Sequence, residues 1–368
     1  MKNKSLLSIF LIIVFSFLMY GNKLIKAPDS LKGLNSSYKW AAKNAKNDKY
    51  IVYTVKVLMN ENSHYGSWHS DSEDMTNLGE LLTGKKHLYR NSGKMTVKNA
   101  AKMALKSHKA GDRHRSIGKK VLKNVAILFK FEKKRLSKIS TRTYDSMIEE
   151  KNYQIYWLGD YNNNESITFL KKQFVLLKEP KLQKQLVSSI ALHKDEKNVK
   201  PFLLNIVKNN YDDKVKANAI FWLGEYSSPE IVKILIKIAR GNNSKLGKKA
   251  VFSLYRIKDN KADNALIDLA KNSKNRKIRK NAIFWLGQKA IKKSSKILGD
   301  IAKNDSDFDV QKKAVFALSQ LPGDSGIDKL VNIAKTHKSF KLRKSALFWL
   351  GQSNNPKGLK TIIDILKD

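Results

Sequence analysis

The chain has no cysteine. That excludes disulfides, thiolate metal sites, a cysteine nucleophile and the cysteine that carries the lipid of a bacterial lipoprotein. Acidic residues are scarce: 32 Asp and Glu stand against 72 Lys and Arg, a formal charge of +40 over 368 residues. A lysine-rich coding bias would raise Glu along with Lys. The deficit of acids therefore points toward an anionic partner or surface, with plain solubility as the other account. Phosphate-cradling glycine loops are missing, since neither the Walker spacing nor GxGxxG occurs, and so are HExxH and GxSxG. Isolated Ser, His and Asp residues exist, but no spacing gathers them. No catalytic residue and no cofactor is expected.

Long apolar runs are also lacking, with one exception. After MKNKS comes LLSIFLIIVFSFLMY, 15 residues from Leu6 to Tyr20. A membrane span needs about 20 residues, whereas a basic start followed by a shorter apolar run suits a secretory signal. Residues 1–27 are expected to be a signal peptide or an N-terminal anchor. Cleavage sites are poor, because Met19 and Tyr20 precede Gly21 and Pro28 follows Ala27. Export to the periplasm or cell envelope is the expected location.

What is present above all is repetition. AIFWLG (219–224), AIFWLGQ (282–288) and ALFWLGQ (346–352) recur, with IYWLG at 155–159. Weaker copies, LVSSIAL, AVFSLYR and AVFALSQ, lie between them. The markers Gln154, Leu186, Ala219, Ala250, Ala282, Ala314 and Ala346 are spaced 32, 33, 31, 32, 32 and 32. A period of this size belongs to helical solenoids. Each marker is expected in a helix that starts four residues earlier at an aliphatic residue, with apolar offsets 0, 4, 5, 7 and 8 on one side. A second apolar helix follows after a turn of Asn, Asp, Gly, Ser or Pro. Such a pair cannot bury its apolar sides alone, so neighbours must stack.

Offset 7 reads Trp157, Ser189, Trp222, Ser253, Trp285, Ala317 and Trp349, alternately large and small. The Trp residues are read as packing, with pairs of repeats as the unit of construction. The Gly at offset 9 of alternate copies is read as a helix end.

These helices resemble the HEAT repeats, in the form aliphatic-Arg-x-x-Ala-x-x-x-Leu-Gly. The matching residues are Ile278, Arg279, Ala282, Leu286 and Gly287, and Leu342, Arg343, Ala346, Leu350 and Gly351. Gln183, Lys216, Gly247 and Gln311 stand where that pattern has Arg, which puts its Arg–Asp ladder in doubt. The phrases FWLGQ and KKAVFALSQLP resemble an exported bacterial HEAT-repeat subgroup with no defined reaction. The resemblance implies a mainly α fold: a right-handed α-solenoid of about seven HEAT-like two-helix repeats over 146–368, with the marker helices on its concave side.

On those helices offsets 2 and 6 point away from the core stripe. They carry Lys248 with Phe252, Lys280 with Phe284, Lys312 with Phe316, and Lys344 with Phe348. Phe221 continues this row, Tyr156 starts it and Ser188 interrupts it. Offset 10 adds Glu225, Arg256, Gln288, Gln320 and Gln352. The stripe is the candidate partner-binding surface, for an extended anionic ligand. Phe packing on the adjacent helix under a Lys stem is the alternative.

Residues 28–145 break the repeat and read as a small α+β module. KYIVYTVKVLM (49–59) alternates as a strand, a hairpin is expected near 124–143 with its turn at Glu132, Lys133 and Lys134, and 97–109 reads as a helix. In the loop 60–74, His64, His69 and Asp71 are the candidate metal ligands, with Glu73 and Asp74 nearby. Their spacing matches no tight motif, and helix capping by Asp71 or Ser72 explains the residues as well. His108 and His114 belong to a basic surface stretch. The combined expectation is a non-enzymatic interaction scaffold of the cell envelope that binds an acidic protein, an anionic envelope polymer or a membrane surface. A nucleic-acid-binding solenoid is the alternative, and a HEAT-like lyase or other enzyme the third.

Overall fold

The computed structural model describes residues 24–44, 48–61, 63–65, 75–84, 119–149, 153–289, 291 and 293–367. The expected signal or anchor, except for residues 24–27, the helix over 97–109, and the candidate residues His69, Asp71, His108 and His114 lie outside them. Among the described residues no helix is long and apolar enough to cross a membrane. The chain divides into two compact units, up to Asp195 and from Glu196 onward.

In the first unit a mixed sheet runs in the order β1-β7-β2-β4-β5. β1 (Leu24–Lys26) and β2 (Lys49–Asn60) lie parallel to β7 (Gln154–Asp160) on its two sides. β4 (Lys120–Glu132) pairs antiparallel with β2 and with β5 (Arg135–Thr143). The period of 2 in the sequence sorts the side chains. Tyr50, Val52, Ala126, Leu128 and Ile155 meet Leu78 and Leu82 of α2 (Leu78–Thr83) and Ile148 of β6 (Met147–Glu149). β6 forms a small second sheet with β3 (Met75–Asn77). On the opposite face Phe129 and Tyr53 meet Phe169 of α3 (Asn163–Leu176), and Tyr38 of α1 (Leu34–Asn44) fits between Phe129 and Phe169, with ring centroids 5.0–6.0 Å apart. β2 is buried on both faces along most of its length, as a central strand must be.

The expected hairpin is β4–β5. Its turn residues Lys133 and Lys134 have φ of +49° and +62°, the left-handed pair of a type I′ connection. The open edge of β5 is covered by α4 (Pro180–Ala191). Gln185 Oε1 accepts from the Ile139 N–H at 2.8 Å, and the Thr141 and Ser189 hydroxyls meet at 3.1 Å.

One expectation is corrected here. IYWLG at 155–159 is not a repeat helix but strand β7, and Trp157 and Tyr156 point to opposite faces of the sheet. The physical reason lies in two positions. The marker Ala is fully buried in each later repeat, at 219, 250, 282, 314 and 346, where Gln154 has neither the size nor the polarity to fit. The place of the starting aliphatic is held by Glu150. Tyr, Ile, Tyr and Trp in succession suit a pleated strand instead. The sheet module thus extends through Asp160 rather than stopping at 145, and six marker helices remain in place of the seven expected.

The second unit is helical: α5 (Val199–Lys208), α6 (Asp213–Leu223), α7 (Pro229–Arg240), α8 (Ser244–Arg256), α9 (Asn260–Asn272), α10 (Arg276–Lys289), α11 (Ser294–Asn304), α12 (Phe308–Ser319), α13 (Ile327–Thr336), α14 (Phe340–Gln352) and α15 (Pro356–Lys367). The marker helices α8, α10, α12 and α14 pack most extensively on the helix before them, α6 packs on both α5 and α8, and successive marker helices touch. Asp212, Ser228, Asn243, Asp259 and Asp307 cap helix N-termini with their side chains.

The position after the starting aliphatic serves the preceding helix end. Arg279 donates to Ser273 O at 2.9 Å and Arg343 to His337 O at 2.8 Å, while Gln311 reaches Lys303 O and Gln183 reaches Phe174 O. Gln therefore keeps the donor role of Arg toward orphan helix carbonyls. Gly247 cannot, but it admits Ile278, whose Cδ1 would lie 2.8 Å from a Cβ there.

The alternation of large and small residues has a tertiary meaning. Offset 9 of one repeat faces offset 7 of the next: Gly224 against Ser253, Tyr255 against Trp285, Gly287 against Ala317. A Cβ on Gly224 would sit 3.1 Å from Ser253 Cα, and one on Gly287 would sit 3.0 Å from Ala317 O. Tyr255 and Trp285 have ring centroids 4.6 Å apart. As their place in the phrase suggested, Gly224 is a helix end, the C-cap of α6, but the other two are not. Gly287 lies inside α10, Gly351 inside α14, and Gly224 keeps a right-handed φ of −66°. Gly224 and Gly287 permit close approach between marker helices.

Candidate functional site

The marker helices of the second unit place aromatic and basic side chains in one row, because 32 residues separate equivalent positions. Phe221 and Phe252 stack at 6.0 Å with planes 16° apart. Phe252 meets Trp285 at 4.7 Å, and Trp285 meets Phe284 at 4.9 Å. Phe316 meets Trp349 at 5.2 Å, and Trp349 meets Phe348 at 5.0 Å. Between Phe284 and Phe316 lies the ammonium of Lys313, 4.7 Å and 4.2 Å from their ring centres. At the other end the Arg256 guanidinium lies 4.1 Å from the centre of Phe221. It pairs with Glu225 and donates to Phe221 O at 2.7 Å. Rings in contact, bridged once by Lys313 and joined by Arg256 at the Phe221 end, form a nearly continuous ladder, each cation–ring contact contributing about 0.5–1 kcal/mol at an exposed site.

The eight candidate residues fall on this row but in different states. Phe252, Phe284 and Phe316 are half-buried, whereas Phe348 is 57 % exposed. Lys248, Lys312 and Lys344 are exposed, and Lys280 lies 3.5 Å from Asp309. The stem that covers the rings belongs to Lys313 and not to Lys312. Burial holds the Lys313 ammonium below its ordinary lysine range, and the charge of Lys280 adds to this. Ring packing between repeats and a positive outer row therefore coexist. Tyr255 and Lys313 are not singled out by sequence reasoning; the only signal for them is the Gly, Tyr, Gly sequence at offset 9 and the Lys doublets at offsets 2 and 3. Tyr156, read as the first member of the row, lies in β7 against Trp40 at 5.6 Å.

The other candidate set is not assembled. His64 Nδ1 is hydrogen-bonded to the Asp145 carboxylate, which fixes the loop onto the end of β5. Among the described residues no group of three or more His, Asp or Glu side chains is arranged to hold a metal ion.

No curated protein sequence matches the chain. Solved structures resemble it weakly. The complex of CpcE and CpcF of phycocyanin lyase from Nostoc sp. PCC7120 is 20% identical over 40% of this chain and 96% of that one, with a TM-score of 0.31. A designed armadillo repeat protein in complex with the peptide (KR)4 is 16% identical over 52% of this chain and 100% of that one, at 0.30. Human deoxyhypusine hydroxylase is 14% identical over 52% and 73%, at 0.29. At this level of likeness no chemistry or partner transfers to this chain. The family profile described as HEAT repeats matches residues 199–280 and again 264–339. These are the helical pairs whose packing has just been described, and residues 199–339 are HEAT repeats.

Proposed function

We propose that the repeat unit is a non-enzymatic scaffold that binds an acidic protein segment along its marker helices, in the cell envelope. The observation that carries this reading is the row of rings and cations, together with lysines left over from it. Arg256 is neutralised by Glu225 and Lys280 approaches Asp309, but Lys248, Lys312 and Lys344 have no carboxylate partner among the described residues. An extended chain of carboxylates would meet these ammonium groups, while its backbone and stems lie on the exposed parts of the Phe rings. HEAT repeats suit this task, since a stack of equivalent helices offers equivalent contacts at regular intervals. The envelope location is supported by MKNKS and the apolar run from Leu6 to Tyr20.

The test is the affinity of the full chain for a Glu- and Asp-rich peptide, compared with a variant carrying Lys248→Glu, Lys280→Glu, Lys312→Glu and Lys344→Glu. At about 0.5 kcal/mol for each exposed contact, the variant is expected to bind at least roughly 30-fold more weakly, with a steep dependence on salt. Equal affinity of the two proteins would remove the face from consideration. Tighter, salt-sensitive binding of single-stranded DNA than of the peptide would transfer the reading to nucleic acid. Fractionation of the native cell, with sequencing of the mature N-terminus, tests the location.

A further inference from the structure

Residues 32 positions apart give an internal comparison for the last described helical pair, α14 and α15. On α13 Ile327 and Ala334 are buried, whereas their counterparts on α15, Leu359 and Leu366, are 60 % and 81 % exposed. Ile363, in the place of half-buried Val331, is exposed. On α14 Phe340 is 68 % exposed, and half-buried Leu347 stands where α12 has the fully buried Val315.

These side chains share one side of the pair. Lys335 with Asp364 and Lys357 with Asp328 tie α15 to α13, and Thr361 on that side of α15 is buried. At 3.6 residues per turn Leu359, Ile363 and Leu366 stand about 140–200° round the helix from Thr361, facing away from α13. On α14 the open side is marked by Gly351, since its counterpart Gly287 faces the following repeat. Phe340 and Leu347 lie within about 40° of it. In the preceding repeat the same sides receive α14 and α15. Repeat arrays ordinarily close with a polar outer surface. Here the positions stay apolar and three grow larger: Leu366 stands for Ala334, Leu347 for Val315 and Ile363 for Val331.

The border of this face is basic. Lys341 follows Phe340, and Lys360 and Lys367 stand within about 60° of Ile363. All three are exposed and have no carboxylate partner among the described residues. The nearby carboxylates, Asp328 and Asp364, are held by Lys357 and Lys335 on the side of α13. A second copy is therefore the wrong occupant. Packed on itself about a two-fold axis, α15 would set the Lys360 and Lys367 edge of one chain against the same edge of the other, between chains of formal charge +40 each. An anionic lipid surface supplies what both parts of the face need, acyl chains for the apolar side chains and phosphate groups for the lysines. It requires no matching groove.

We propose that this face of α14 and α15 docks on an anionic lipid bilayer. Phe340, Leu359, Ile363 and Leu366 enter the boundary between headgroups and acyl chains, while Lys341, Lys360 and Lys367 stay at the phosphates. The inference is independent of the row on the marker helices. Because the chain has no cysteine, a polarity-sensitive fluorophore attached through Leu366→Cys reports on this face alone, even where the apolar run from Leu6 to Tyr20 holds the full chain to a vesicle. Lys271→Cys, at an exposed position of α9, is the control. Each labelled chain is mixed with vesicles of phosphatidylcholine, and with vesicles of phosphatidylcholine and phosphatidylglycerol in equal parts.

The expected result is a blue shift of the label at 366 with the anionic vesicles, smaller with neutral vesicles and in high salt, and none for the label at 271. In the Leu366→Cys background, Leu359→Ser should lower the equilibrium between inserted and free label roughly 10-fold. Lys360→Glu with Lys367→Glu should lower it at least roughly 30-fold. These substitutions change exposed residues, and helical circular dichroism verifies that the fold is kept. An unshifted label, an equal shift with neutral vesicles, or a shift that ignores either variant overturns the proposal. So does a shift without lipid that grows with protein concentration, which assigns the face to a second copy. A shift produced by a Glu- and Asp-rich amphipathic peptide but not by vesicles overturns it in favour of a protein partner.

Discussion

Gly287 and Gly351 stand at the same place in the same phrase, yet the packing predicts opposite outcomes for the same substitution. Gly351 is exposed, and a Cβ there would meet only Ile362 Cδ1 at 3.7 Å, an ordinary contact. In an exposed helix Ala exceeds Gly by about 1 kcal/mol, so Gly351→Ala is expected to stabilise by that amount. At Gly287 the added methyl would meet Ala317 O at 3.0 Å, Ala317 Cβ at 3.1 Å and Ala317 Cα at 3.3 Å. Overpacking of this kind costs about 1–3 kcal/mol. Set against the same propensity gain of about 1 kcal/mol, Gly287→Ala should range from neutral to about 2 kcal/mol destabilising. The two variants should thus differ by about 1–3 kcal/mol in urea unfolding followed by tryptophan fluorescence. In a double-mutant cycle Gly287→Ala should cost less in an Ala317→Gly background than in the wild-type one, because the methyl contact is gone while the carbonyl contact stays. Equal stabilisation by both single variants would refute the close-approach account.

Two further predictions concern the first unit. Replacing Lys133 and Lys134 by Asn-Gly should stabilise the β4–β5 hairpin by about 1 kcal/mol or more, since each left-handed non-glycine residue costs about 1–2 kcal/mol; no gain in chemical denaturation would mean the turn is not left-handed. His193 is buried in a polar chain in which Tyr53 OH meets Ser166 Oγ at 2.9 Å, Ser166 Oγ meets Nε2 at 3.0 Å and Nδ1 meets Asn163 Oδ1 at 3.0 Å. Burial lowers its pKa from 6.5 to about 4, with the charge of Asp195 acting the other way. Below pH 6.5 the unfolded chain takes up the proton that the folded chain refuses, so the stability from this residue is complete above pH 6.5 and is lost as the pH falls toward 4. The loss should reach about 3 kcal/mol, and a His193→Gln variant whose unfolding has the same pH slope as the wild type would contradict it.

The helical hairpins were legible because their determinants are local and periodic. Ala219, Ala250, Ala282, Ala314 and Ala346 recur where only a small residue fits against a neighbouring helix, and the flanking aliphatics mark the core side. The central strand and the hairpin were equally open to reading, through alternation in KYIVYTVKVLM and a polar turn between two apolar runs. IYWLG misled because a five-residue phrase does not record its partners: the strand's neighbours come from residues 24–26 and 49–60, far away in the chain. The candidate row was legible as a set of positions, but the exchange of Lys312 for Lys313 over the rings was not, since residues one position apart on a helix differ by 100° and packing chooses between them.

Composition and period by themselves determined that most of the chain is stacked helices, that sulfur chemistry is excluded and that the protein carries a large positive charge. Each of these depends on residue counts or on spacings within a few turns of helix. Tertiary structure alone decided that Gly224 and Gly287 are contact points, that Arg279 and its Gln replacements serve the preceding helix end, and that Lys313 rather than Lys312 covers the rings. Those outcomes depend on which side chains from repeats 32 residues apart reach the same few ångströms of space, and a one-dimensional pattern records the repeat but not the fit across it.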